Sequence, residues 1–284
     1  MGKFPANAPA SDWSGQSTWR HAIANALASV FLPAECRLCE QLLTRASRLP
    51  ICDECLASFS RISGCICPAC GVPVDAPITG EGQYELADPS KTHCLACRAG
   101  EFHFDCVRSF ARYEGSLVRA IVLLKFEEME PLADWFADRL AEVMRQNAQE
   151  LRADLVVPVP LHKVRRRERG FNQAEMLSKR LAKRIGLPHQ GILLVRKRPR
   201  PDKHLLTSRE RWEAVRGAFA TRPGSQVDNR RVLLVDDVMT TGATLDACAK
   251  ALREAGASCV LGLTVARAIL NPRKVSRSGL VKPR

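Results

Sequence analysis

Residues 232–245, Val-Leu-Leu-Val-Asp-Asp-Val-Met-Thr-Thr-Gly-Ala-Thr-Leu, constrain the fold of this chain more than any other stretch. The apolar, β-branched run 232–235 predicts a buried strand of a parallel sheet. The two carboxylates end it, and a hydroxyl-rich turn leads to a helical pattern over 245–252. A strand that turns directly into a helix leaves backbone N–H groups free at the helix start, where they bind anions. Thr240, Thr241 and Thr244 add hydroxyl donors, and Gly242 followed by Ala243 lets the backbone approach a ligand. Asp236 and Asp237 accept hydrogen bonds, which suits a polyol rather than a second phosphate. Donors for a phosphate beside acceptors for a diol describe a ribose 5-phosphate site.

Adjacent carboxylates at a strand end also occur in metal-binding receiver domains and in Walker-B strands. A Walker-B strand needs a glycine-rich partner loop ending in Gly-Lys-Ser/Thr, which this sequence lacks. Receiver sites do not need a Thr-Thr-Gly-Ala-Thr turn directly after the acids.

The 284 residues suffice for one substantial domain and a small one. Their formal charge of +13 points to polyanionic partners. The twelve cysteines would suggest disulfides in a small secreted protein, but most fall in Cys-x-x-Cys pairs within the first third. That pattern predicts metal binding in a reducing compartment. Cys36 and Cys39 with Cys52 and Cys55 form one set of knuckles; Cys67 and Cys70 with Cys94 and Cys97 form a second, with a longer connection. Two such pairs close a four-sulfur structural site, with zinc expected and an iron–sulfur cluster as the competing reading. In the second set Cys65, Cys106, His93 or His103 are alternative ligands. Apolar residues in this module are few, so metal binding supplies its folding energy. Cys248 and Cys259 read as core packing.

An apolar stretch at 22–32 follows Arg20, as in a signal peptide, but Trp19, Ile23, Leu27 and Val30 fall at helical spacing and no cleavage-site pattern follows. An amphipathic helix is expected there. No stretch approaches the length of a membrane span, and the expected location is cytoplasmic. Four regions follow: 1–33, a disordered start and the amphipathic helix; 34–106, a double zinc ribbon; 107–267, an α/β domain; and 268–284, a basic tail. Within the third, strands are expected near 107–113, 155–159, 192–195, 232–235 and 260–265. Helices are expected over 116–127, 131–146, 171–185 and 244–254, with a long charged loop at 197–216. Strands alternating with helices imply right-handed crossovers and a doubly wound parallel sheet.

The strand at 155–159 runs into prolines and then a cationic loop holding His162, Lys163, Arg165, Arg166, Arg167 and Arg169. In such sheets ligands sit beyond the carboxyl ends of the strands, so this loop is expected at the same crevice as Asp236 and Thr241. Its cations suit a departing pyrophosphate or the phosphates of DNA. A solvated basic loop is the plainer reading.

The paired cysteines, the strand at 155–159, Arg-Arg-Glu-Arg-Gly-Phe-Asn-Gln at 166–173, the 209–219 segment and the 232–245 signature occur in the order seen in the ComF-like competence family. The sequence resembles that family over about residues 30–267, and 232–245 resembles the phosphoribosyl-pyrophosphate signature of type I phosphoribosyltransferases. The resemblance implies a double zinc ribbon joined to a type I phosphoribosyltransferase-like domain. It also implies zinc, Mg²⁺ accompanying phosphoribosyl pyrophosphate, and a role in DNA uptake with incoming single-stranded DNA and uptake helicase machinery as partners. Two functions fit. In one, an enzyme of nucleotide metabolism transfers phosphoribose to a base or amine through an oxocarbenium-like state. In the other, the site binds without turnover while the ribbon and basic loops hold single-stranded DNA. For sequence-tolerant stacking, aromatics should interleave with the basic residues. Only Phe171 and Trp212 do.

Overall fold

A computed structural model describes residues 34–43, 47–74, 93–100, 102–199, 207–225 and 227–269. The amphipathic segment at 22–32, residues 200–206 of the charged loop and most of the basic tail lie outside these. The chain divides into two compact units, one ending at Ala57 and the other beginning at Ser58. The first cysteine set falls in the first unit, and the second set lies in the unit that holds the sheet.

In the first unit the chain reverses tightly at the leading knuckle. Cys36 N–H donates to Gln41 O at 2.8 Å, Glu40 N–H returns to Cys36 O at 2.8 Å, and Glu35 bridges Leu42. A single turn of helix, α1 (Asp53–Ala57), carries Cys55 of the second knuckle.

The second unit contains α2 (Leu95–Ala99), β1 (Cys106–Arg112), α3 (Gly115–Phe126), α4 (Glu130–Gln146), β2 (Leu155–Pro158), α5 (Lys163–Arg169) and α6 (Gln173–Ile185). There follow β3 (Leu194–Arg196), α7 (Ser208–Val215), β4 (Phe219–Thr221), β5 (Arg231–Met239), α8 (Ala243–Glu254) and β6 (Cys259–Arg267). Strands β1-β6-β5-β2 form one sheet in that order, every pair parallel. Alternation places successive residues of β5 on opposite faces. Val232 and Leu234 pack with Leu245, Cys248, Ala249 and Leu252 of α8. Leu233 is equally buried between them, while α6 packs along β2 and β5 and α4 along β1 and β6. All nine residues of β6 are buried, as a central parallel strand covered on both faces requires.

The structure corrects four local expectations. The strand near 192–195 does not join the parallel sheet. It forms β3, which pairs antiparallel with β4 in a two-stranded ribbon of its own. The charged loop at 197–216 contains helix α7, started by a reciprocal capping box in which Thr207 N–H donates to Glu210 Oε2 (2.8 Å) and Glu210 N–H to Thr207 Oγ1 (3.3 Å). The cationic loop after β2 is helix α5, which ends at Gly170. Finally, β5 continues through both acids to Met239, because β6 pairs with it along that length, Asp236 facing Thr264 and Met239 facing Arg267. The helix then starts at Ala243. Among the described residues no helix is long and apolar enough to cross a membrane.

Candidate functional site

On its other side β5 loses its neighbour early. β2 ends at Pro158, opposite Val235, and prolines at 158 and 160 are poor ladder members. Among the described residues no strand lies beside that flank of β5 from Asp236 onward, and the crevice at the carboxyl ends of the strands opens there.

Asp237 is buried, 5% exposed, and its Oδ2 meets both Lys125 Nζ and Gln173 Nε2 at 3.0 Å. Lys125 ends α3 and Gln173 opens α6, so two helices converge on one carboxylate. Burial alone would lower the Lys125 pKa, but the Asp237 carboxylate outweighs it and raises it. Arg169 extends the chain of contacts: its Nη1 donates to Gln173 Oε1 at 2.6 Å, and its guanidinium lies 5.0 Å from the centre of the Phe126 ring. Asp236 has its Oδ1 on the N–H of Asp237 at 2.8 Å. Burial, and then the neighbouring Asp237 charge, push its carboxyl up to about 8.

Residues 240–242 form the turn. Gly242 precedes α8 at φ 87°, a left-handed conformation, and a Cβ there would stand 2.8 Å from Met239 Cε. Ala243 N–H reaches Thr241 Oγ1 at 3.4 Å. Thr240, Thr241, Ala243 and Thr244 line a small cleft, and Arg196 and Arg211 stand across it from β3 and α7. The turn thus shares a cleft with two arginines and stands at the N-terminus of a helix of twelve residues, a setting that suits a phosphate.

The remaining cations are distributed along α5. His162 is buried and caps the helix, its Nδ1 accepting from Val164 N–H at 3.4 Å. Arg166 pairs with Glu175 at 3.0 Å and Arg165 with Glu168 at 3.8 Å, while Lys163 and Arg167 are exposed. Of the six, Arg169 is tied to the Gln173–Asp237 contacts. Sequence reasoning missed Lys125, Arg196 and the use of Gln173, and read Arg211 only as part of the basic 197–216 loop, a hood over the crevice or a nucleic-acid surface. A lone lysine in the last turn of an apolar helix suits the helix dipole and carries no distinctive signal. Trp212, one of the two candidate stacking aromatics, lies 5.8 Å from the Phe102 ring, against the core.

Each cysteine set converges as expected, with Cys67, Cys70, Cys94 and Cys97 forming the second group. Two of the alternative ligands are engaged elsewhere: Cys106 is buried in β1 with Glu150 O at 3.9 Å, and His103 Nδ1 meets Asp246 at 3.1 Å. In both sets the four sulfurs lie within 4.8 Å of one another, with Cys39–Cys52 and Cys70–Cys94 at 3.6 Å. Four thiolates about 2.3 Å from one tetrahedral ion stand about 3.8 Å apart, so both tetrads fit a single zinc. Sulfurs this close leave no room inside for a multi-iron cluster. N–H groups of Leu38 and Cys52 point at Cys36 Sγ at 3.4 and 3.3 Å. These N–H groups overcome the opposing effect of burial and draw the Cys36 thiol down to about 6. None of the twelve cysteines is joined in a disulfide.

Parallel sheet, acid pair and phosphate-suited turn together define a type I phosphoribosyltransferase-like protein, and residues 171–276 match the family model described as phosphoribosyl transferase domain. Relatives align over most of the chain. DNA utilization protein YhgH of Salmonella typhimurium is 30% identical over 233 residues, covering 81% of this chain and 95% of that protein. Competence protein F of Haemophilus influenzae is 27% identical over 226 residues, covering 76% and 96%. Competence protein ComFC of Bacillus subtilis is 28% identical over 218 residues, covering 76% and 84%. The chain belongs to the ComF-like competence family.

Proposed function

We propose that this chain binds phosphoribosyl pyrophosphate with Mg²⁺, or a related phosphorylated ribose, at the end of β5. We further propose that it acts in the cytoplasm in DNA uptake, handling incoming single-stranded DNA beside the uptake helicase machinery. The observation that carries the ligand assignment is the meeting of two kinds of group at one turn. Asp236 and Asp237 offer acceptors for ribose hydroxyls. Thr240 to Thr244, Arg196 and Arg211 offer donors and charge for the 5-phosphate. Asp237 is held in place before any ligand arrives, because Lys125 and Gln173 already fix it. Mg²⁺ supplies charge neutralisation for the pyrophosphate, and the exposed cations of α5 face either that group or DNA phosphates. Zinc in the two tetrads stabilises the knuckles around which each folds. The DNA role draws on what the relatives are called, competence and DNA utilization proteins, and on the +13 charge.

Isothermal titration of the full chain with phosphoribosyl pyrophosphate and Mg²⁺ tests the site. Saturable binding, lost when Asp236 and Asp237 are both replaced by Ala in a folded variant, is expected. Unchanged affinity in that variant overturns the assignment. Product analysis of the same mixture with bases and amines separates binding from turnover.

A further inference from the structure

The second cysteine set is built into the sheet next to the phosphate turn. Its first knuckle lies on the edge strand: Val107 N–H donates to Ala69 O at 2.7 Å and Arg108 Nη1 to Pro68 O at 2.9 Å. Gly71, at φ 66°, passes so near β1 that a Cβ would stand 2.5 Å from Val107 O. On the neighbouring strand, Arg267 ends β6 opposite Met239 and is 7% exposed. Its Nη2 lies 3.7 Å from Cys70 Sγ. Its Nη1 donates to Thr240 O and, at 3.3 Å, to Met239 O, the two carbonyls that lead into the turn. Its buried Nε has no hydrogen-bond partner among the described residues, so the side chain is held through its two terminal nitrogens. Phe104 adds an apolar path. It packs in the same cluster as Cys67 and Cys70, and its ring edge lies 3.7 Å from where a Cβ on Gly242 would be.

A guanidinium is a rigid planar fork, so displacing the acceptor of one arm reorients the other. Groups bonded to a metal's ligands orient those ligands and are oriented by them. We propose that Arg267 is a positioning residue that couples metal occupancy of Cys67, Cys70, Cys94 and Cys97 to the order of residues 239–244. The inference rests on the zinc and ribose-phosphate readings above. With zinc in the second set, Cys70 Sγ is fixed and the fork holds both carbonyls; without it, the turn loosens and phosphate affinity falls. Linkage is reciprocal, so ligand bound at the turn strengthens zinc binding by this set.

The experiment is hydrogen exchange of residues 239–244 in the zinc-loaded full chain, with zinc content and phosphoribosyl pyrophosphate affinity measured in parallel. Arg267→Gln is expected to speed exchange in the turn about tenfold and weaken binding to a similar degree, a coupling of the usual size. The zinc content stays unchanged, and Arg267→Lys restores part of both effects. Cys94→Ser, which empties the second set, is expected to loosen the turn in the wild-type background and to add nothing to Arg267→Gln. Should Cys94→Ser not fold, stepwise chelation of the wild type and of Arg267→Gln gives the same comparison. Thr264→Val removes the buried Ser109–Thr264 hydrogen bond (2.6 Å) on the same two strands and serves as the control for general destabilisation. It is expected to leave the turn's zinc dependence intact. Additive effects, or unchanged exchange in Arg267→Gln, overturn the coupling. Exchange needs no ligand, so a wild type that binds no phosphoribosyl pyrophosphate defeats the ligand reading while the coupling is still decided.

Discussion

Lys125 Nζ lies 3.0 Å from Asp237 Oδ2, so the second acid of the strand-end pair is neutralised by a helix with no part in the turn itself. Gln173 completes the carboxylate's partners and is itself held by Arg169. A buried carboxylate left without its cation is costly, whereas removing both charges is often tolerated.

Lys125→Met is therefore expected to destabilise the protein by about 3 kcal/mol, the low end of what breaking a buried pair costs, since Lys125 keeps some exposure. Asp237→Asn alone is expected to do less harm. In the double variant the effects should fall short of their sum by about 1–3 kcal/mol. Urea unfolding of the four proteins measures that shortfall, and strict additivity would show that the contact contributes no coupling.

The neighbouring acid makes the opposite contribution. Asp236 has its carboxyl pushed up to about 8, from an ordinary 3.8, by burial and by Asp237. Between those pH values the native state holds a proton that the unfolded chain has lost. Stability therefore falls as pH rises through this window and levels off above about 8. Asp236→Asn, which mimics the protonated form, is expected to remove that part of the slope and to be more stable than wild type at pH 8. Urea midpoints from pH 5 to 9 for the two proteins check this. Parallel curves would mean that Asp236 titrates normally.

How much of this was legible in the sequence depended on how local the signal was. The β5–turn–α8 unit and both tetrads were readable because strand, acids, turn and helix follow one another, and each knuckle closes within four residues. Helix α5 was not, since Lys-Val-Arg-Arg-Arg-Glu-Arg has no apolar period and its helix is fixed by the caps at His162 and Gly170. Helix α7 did carry a signal, Thr207 followed three residues later by Glu210, but its surroundings are so charged that the segment reads as loop. Lys125 and Arg267 were out of reach. Their roles depend on Asp237 and Cys70, 112 and 197 residues away along the chain, and only the folded sheet brings them together.

The tetrads predict two zinc ions per chain, one from each group of four sulfurs. Cys36→Ala and Cys67→Ala are each expected to lose one equivalent by metal analysis of protein purified without chelator. Cys67 is fully buried in the cluster beneath the sheet, so its replacement should also lower the melting temperature by more than about 4 °C, roughly what 1 kcal/mol gives a domain of this size. Protein that is metal-free yet fully stable would rule out the zinc assignment.

Helix α7 carries Arg211 to the cleft, and its capping box is the local feature that starts it. Thr207→Ala is expected to cost about 1 kcal/mol of local helix stability. If Arg211 acts on the phosphate, affinity for ribose 5-phosphate should fall two- to fivefold while zinc content and the global unfolding midpoint change little. Titration calorimetry of the variant reads this directly. An unchanged affinity would separate α7 from the phosphate site.

For DNA binding, the structure decides which side chains to change. Arg169 is unsuitable, because it supports Gln173 and through it Asp237. Lys163, Arg166 and Arg167 are exposed on α5, and only Arg166 has an acidic partner described, Glu175. If these three neutralise phosphates of single-stranded DNA, log affinity should fall linearly with log salt. Replacing all three by Gln should then flatten that slope by about two units, at roughly 0.7 per contact. Parallel titration with phosphoribosyl pyrophosphate distinguishes the two anionic ligands. A flattened DNA slope with unchanged small-ligand affinity assigns this face of α5 to DNA. Weakened small-ligand binding with an unchanged DNA slope assigns it to the pyrophosphate instead, and so refutes the DNA reading of these three residues.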